Sequence, residues 1–113
     1  MAGLGVAAVQ VTVVAVNDAP VLPPQSDRVV AALTTLSVTN TAWDADPPSA
    51  TTLSYTLSVT NGGGVVTNAS ISPQGIITWT PTVEQAGSVN VFTTRVTDGA
   101  AWATNWFNVE VTP

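Results

Sequence analysis

Two side-chain chemistries are missing altogether: the 113 residues contain no cysteine and no histidine. Without cysteine there are no disulfides and no thiolate metal site, although the compartment stays open, because exported proteins also do without it. Without histidine the usual general base and the commonest transition-metal ligand are gone. A Ser/His or Cys/His nucleophilic pair cannot be assembled within this chain. Charge is scarce too. Only 8% of residues are charged, lysine is absent, and Arg28 and Arg95 stand alone against seven acids, for a formal net charge of −5. Such a surface suits nucleic acid poorly, because affinity there depends on neutralising phosphates. No apolar run reaches the roughly 20 residues that a membrane span needs. Met1 to Ala8 lack the basic start and the length of a secretion signal, so if the protein is exported its signal is expected outside this sequence.

What is present is β-forming. Hydrophobic residues make up 45% of the chain, enough for the core of one domain, with valine and threonine prominent and eight Gly and eight Pro to punctuate it. Leu53, Tyr55, Leu57 and Val59 alternate without a break and predict a half-buried strand, which Gly62-Gly63-Gly64 ends. Further strands are expected at Leu33 to Val38, near Val65 to Ile71, at Ile76 to Thr80, at Val89 to Thr97 and at Trp102 to Val111. Turn signals separate them every ten or so residues, which predicts a two-sheet sandwich. On the last strand Phe107, Val109 and Val111 share one face, expected to meet the core, while Trp102, Thr104 and Trp106 share the other.

One stretch occurs at both ends. Val9-Gln10-Val11-Thr12-Val13 matches Phe107-Asn108-Val109-Glu110-Val111 at a constant offset, 109 − 11 = 98 and 111 − 13 = 98. A domain of this size rarely carries its last strand twice, so the pattern points to one unit of a head-to-tail array. Residues 1–16 are then a strand equivalent to the last strand of a preceding unit, 17–24 a linker, and 25–113 the sandwich. The phase change at Val14 and Val16 suggests a bulge or kink. The extra strand has three possible uses. It trails from a preceding domain, it pairs within its own sandwich, or it completes the sandwich of another subunit by strand complementation and so builds a filament.

Three segments resemble the cadherin-like and immunoglobulin-like repeats of bacterial surface proteins. Asn17-Asp18-Ala19-Pro20-Val21-Leu22 resembles their opening linker. Trp43-Asp44-Ala45-Asp46, followed by Leu53-Ser54-Tyr55-Thr56-Leu57, resembles their Asp-x-Asp loop and next strand. Gly75-Ile76-Ile77-Thr78-Trp79-Thr80-Pro81-Thr82, with Gln85, Gly87 and Phe92 to Gly99, resembles their most recognisable stretch. The resemblance implies an all-β, antiparallel two-sheet sandwich of the Ig-like or cadherin-like type, with about seven strands plus the extra N-terminal one. It also implies a non-enzymatic, extracellular or cell-surface role in tandem with like units.

The acidic residues have two readings. In such a sandwich the linker, the Asp-x-Asp loop and the loop after the long strand gather at one pole. Like charges brought together there destabilise unless neutralised, and Ca²⁺, with its 6–8 oxygen ligands, is the natural counter-ion. The cadherin resemblance implies the ligand set Asn17, Asp18, Asp44, Asp46 and Asp98, although the chain carries fewer acidic linker residues than a full cadherin linker. The plainer reading makes Asn17, Asp18, Asp44 and Asp98 turn residues that satisfy backbone N–H groups. Asp44 and Asp46 could also be read as a catalytic carboxylate pair, but with no histidine and a short loop no hydrolase is expected.

Four tryptophans raise the question of a sugar-stacking platform, with Trp102 and Trp106 its best members. The alternative buries Trp79 in the core and covers Trp102 and Trp106 with a neighbouring strand or subunit. On that reading Val9, Val11, Val13, Trp102 and Trp106 make the contacts between units. Asn68-Ala69-Ser70 is a formal glycosylation triplet and marks only a loop able to be exposed. Taken together, the chain is expected to be a non-catalytic structural or adhesive module. Its partners would be neighbouring units of its own kind, with a carbohydrate-binding module as an alternative.

Overall fold

Alternation of apolar and polar residues builds the strands, and pairing sorts them into two layers. The computed structural model describes residues 18–44 and 53–113. Among these residues eight strands run in chain order: β1 (Arg28–Ala31), β2 (Leu36–Thr39), β3 (Ser54–Asn61), β4 (Gly64–Val65), β5 (Ala69–Ile71), β6 (Ile76–Trp79), β7 (Val89–Thr97) and β8 (Trp102–Thr112). One sheet has the order β1-β8-β7-β3-β4 and the other β2-β6-β5. The only helical element among the described residues is a 3-10 turn, Val83–Gln85.

The strands expected from Leu53 onward are present, with β7 at its expected bounds, whereas the one expected at Leu33 to Val38 starts only at Leu36. The extra N-terminal strand expected over residues 1–16 lies outside the described residues. The expected strand near Val65 to Ile71 resolves into β4 and β5, which belong to different sheets. β1 is an addition. It pairs with β8 in parallel, Arg28 opposite Val109 and Ala31 opposite Thr112, whereas every other ladder between named strands is antiparallel. Asp27 accepts a hydrogen bond from the Asn108 amide at 2.9 Å and closes the start of that parallel pair. Within the 17–24 segment, Val21 forms a bridge with Trp43, and the Pro23 carbonyl accepts from Asn105 at 3.0 Å.

The core lies between the inward faces. Val38, Ile77, Trp79, Phe92, Val96, Phe107, Val109 and Val111 are almost entirely excluded from water, each large side chain contributing about 1.5–3 kcal/mol by burial. The Phe92 ring sits 5.2 Å from Trp79 in a tilted arrangement and 5.4 Å from Phe107 in a stacked one. Trp79, as expected, belongs to this core, and its indole N–H donates to Asn68 at 3.0 Å. Asn68 also bonds Gln85 in both directions, so its amide is a structural clamp.

Two backbone positions are special. Gly75 has φ +84°, and a Cβ there would lie 2.9 Å from Thr41 Cα and from the Tyr55 ring, so only glycine fits without displacement. Leu33 also has positive φ, 68°, although it is not a glycine, and such a conformation costs about 1–2 kcal/mol for a branched side chain.

Candidate functional site

Two surface regions gather the residues that the sequence singles out: one pole of the sandwich and the outward face of the larger sheet. The topology sets the poles. β7 ends and β8 begins where Thr97 opposes Trp102, and β3 starts there too, with Ser54 opposite Thr97. Val21 and Trp43 exchange hydrogen bonds at 2.8 and 3.0 Å where the chain enters and β2 has run out. Asp18, Asp44 and Asp98 therefore belong to the loops of one end, as expected. Asn17 and Asp46, the other members of the candidate Ca²⁺ set, lie outside the described residues, and so do Val9, Val11 and Val13.

At Asp98 the geometry is that of a turn. Its Oδ1 accepts from the amides of Ala100 and Ala101, both at 2.8 Å, while Thr97 Oγ1 accepts from Gly99 N at 3.0 Å. That carboxylate satisfies donors of the β7–β8 hairpin, which is the plainer of its two readings. Among the described residues no group of three or more acidic side chains is close enough to hold a metal. Asp18, Asp44 and Asp98 thus do not form a metal site by themselves.

The outward face of the larger sheet carries the tryptophans. Trp102 and Trp106 are 51% and 62% exposed. They sit four residues apart on one strand, a separation of about 14 Å. Between them register places Thr104 opposite Arg95, and Arg95 opposite Thr56. The Arg95 guanidinium lies 4.2 Å from the centroid of the Trp102 ring, a cation–π contact worth about 0.5–1 kcal/mol at an exposed site. Thr93, opposite Trp106, extends the shelf toward Ser58. The result is a flat strip with an aromatic at each end and hydroxyls and one guanidinium between. Aromatic faces stack on apolar surfaces, and the polar strip offers hydrogen bonds. Nothing on it is a nucleophile with a base.

The inward side of the same strand holds a polar group that the sequence reading missed. Asn105 exchanges hydrogen bonds with the fully buried Asn40 at 2.9 and 3.0 Å, and Gln25 donates to Asn40 at 2.9 Å and accepts from Arg28 at 2.8 Å. This network ties the segment before β1 to the end of β2 and to β8. The signal was available, since Asn105 falls in phase with Phe107 and Val109 on the apolar face. A cleft of about 340 Å³ beside β3 is lined by Leu53, Ser54, Tyr55, Ile71, Ser72 and Pro73. Its one distinctive polar group, the Tyr55 hydroxyl, already accepts from Ala42 N at 2.8 Å. No described cleft assembles an acid, a base and a nucleophile.

Comparison with known proteins agrees with this architecture. None of the curated proteins matches the chain. Among solved structures, a Dscam structure is similar at 14% identity, with a TM-score of 0.60, over 93% of this chain and 27% of that one. A chimeric titin Z1Z2 structure is similar at 16% identity and TM-score 0.58, over 86% of this chain and 97% of that one. An endo-fucoidan hydrolase of glycoside hydrolase family 107 is similar at 18% identity and TM-score 0.59, over 82% of this chain. The chain spans only 13% of that hydrolase. These likenesses show the immunoglobulin-like fold. The family description "Bacterial Ig domain" matches residues 17–112, nearly the whole described sandwich. This chain belongs to the bacterial Ig domain family.

Proposed function

We propose that the chain is a non-enzymatic structural and adhesive module, one unit of a head-to-tail array displayed outside the cell. The observation that carries this reading is the repeat of the β8 pattern at Val9 to Val13 with its constant offset, 111 − 13 = 98. Support comes from the family, from the absence of histidine and cysteine, and from an outward sheet face built for contact. The Trp102–Arg95–Trp106 strip is the adhesive surface, and its ligand is a flat apolar face such as that of a sugar ring or of a neighbouring unit. Titration with soluble glucans and chitin oligomers, followed by tryptophan fluorescence, separates the two. Saturable quenching abolished by Trp106→Ser assigns the strip to sugars. An unchanged spectrum assigns it to protein.

Ca²⁺ is part of this proposal as the counter-ion of the pole that carries Asp18, Asp44 and Asp98, with Asn17 and Asp46 completing the set. A melting temperature that rises with Ca²⁺ over chelator, and no longer does so in Asp44→Ala, supports the ion. An unchanged melting temperature in the parent removes it.

A second reading, a filament subunit polymerised by its N-terminal strand, has one observation in its favour. Among the described residues β4 pairs only with Thr60 and Asn61 of β3, so the outer edge of β3 from Ser54 to Ser58 is unoccupied. Such an edge accepts a strand from another chain. Deleting residues 1–16 separates the readings. An array unit remains a folded monomer with the same unfolding transition, whereas a filament subunit loses its ability to polymerise.

A further inference from the structure

We infer that the apolar pole formed by Leu33 and Val83, beside the exit of β8, docks onto the opposite pole of the following unit, where Val21 and Trp43 stand exposed. The inference rests on the tandem-array reading and adds to it the joint between units.

The exit pole is tightly built around the end of the chain. The Thr112 carbonyl accepts from Ala32 N at 2.9 Å, and the next residue, Leu33, donates to the Pro81 carbonyl at 2.8 Å. Val83 follows two residues later, at the start of the 3-10 turn, and Gly87 N donates to the Val111 carbonyl at 2.7 Å. Leu33 and Val83 are 68% and 60% exposed, so two branched apolar side chains flank the point where β8 leaves the sandwich. Leu33 is held there in a left-handed conformation, φ 68°, that leucine disfavours. A strained backbone that presents a leucine to water calls for a partner.

The offset supplies that partner. With a period of 98, the Val21 of a following unit stands at 21 + 98 = 119, seven residues beyond Thr112. Seven residues reach at most about 24 Å. Pro113 and the equivalent of Pro20 stiffen that short connection. The Val21–Trp43 bridge of the next unit is therefore tethered beside Leu33 and Val83. Ion pairing cannot make the joint. Both arginines are engaged elsewhere, Arg95 on Trp102 and Arg28 on Phe107, and among the described residues the charged side chains of the pole loops are Asp18, Asp44, Asp98 and Glu84, all acidic. Apolar contact between Leu33 and Val83 on one side and Val21 and Trp43 on the other is what remains to hold the units in one orientation.

The test is a two-unit chain, made by continuing Pro113 with a second copy of residues 16–113, compared with the 113-residue chain. Leu33→Asn, which suits the left-handed backbone, and separately Val83→Thr are placed in the first unit, whose exit pole is occupied, or in the second, whose exit pole is free. In the first unit each is expected to lower the melting temperature of the coupled transition by about 4 °C and to broaden the interunit distances measured by small-angle scattering. In the second unit, and in the single chain, Leu33→Asn leaves the melting temperature unchanged or raises it. A Trp43→Ser change in the second unit should be non-additive with Leu33→Asn in the first. Equal effects in both units, or additive behaviour, overturn the joint while leaving the array reading intact. A two-unit chain in which only one unit folds overturns the array reading itself.

Discussion

The two faces of the larger sheet are made from alternate residues of the same strands and do unrelated work. Inward, β7 and β8 present Phe92, Val96, Phe107, Val109 and Val111, all essentially inaccessible to water. Outward, the same strands present Arg95, Trp102, Thr104 and Trp106, all exposed and with one cation–π contact between Arg95 and Trp102. Neighbours in sequence are thus strangers in function, because strand geometry sends successive side chains to opposite sides. The difference teaches that aromatic content alone says little here. Phe107 and Trp106 are adjacent in sequence, yet one holds the fold together and the other is free to hold something else.

The comparison can be broken at several strengths. Phe92→Ala, which empties the centre of the Trp79–Phe92–Phe107 stack, is expected to cost about 3–5 kcal/mol in denaturant unfolding. Gly75→Ala combines a positive φ with a Cβ driven against Thr41 and Tyr55, and should cost about 3 kcal/mol. Asn105→Ala leaves the buried Asn40 amide short of a partner and should cost about 2 kcal/mol. Its neighbour Thr104→Ala, on the outward face, should stay within about 0.5 kcal/mol. If those two adjacent substitutions cost the same, the separation of the faces is wrong. Thr94 sharpens the point from inside, since its hydroxyl is buried with no hydrogen-bond partner among the described residues. Thr94→Val is therefore expected to be neutral or to stabilise by up to about 1 kcal/mol. The smallest stability effect belongs to Trp106→Ser, within about 0.5 kcal/mol, although it should remove whatever contact the outward face makes.

Much of this was legible in the chain because strand periodicity is local. Leu53, Tyr55, Leu57 and Val59 announce β3, and the split of β8 into a core face and a tryptophan face follows from counting by twos. β1 was not legible. Its four residues, Arg-Val-Val-Ala, do not alternate cleanly, and its partner β8 lies about eighty residues away in a parallel register that no turn signals. Leu33 gave no warning either, because neither glycine nor asparagine marks its left-handed backbone. The pole was half legible. Loop order placed Asp18, Asp44 and Asp98 at one end, but not that Asp98 would spend an oxygen on the Ala100 and Ala101 amides.

The parallel pairing of β1 with β8 has a consequence for a unit pulled from both ends. Tension along an array draws β1 toward the pole where the chain enters and β8 toward the pole where it leaves. The register from Arg28↔Val109 to Ala31↔Thr112 is then loaded along the strands, so its hydrogen bonds share the force and must rupture together. A hairpin opened from one end would surrender them one by one. In an array of the proposed kind, this short parallel strand makes a shear clamp beside the point where β8 leaves the sandwich.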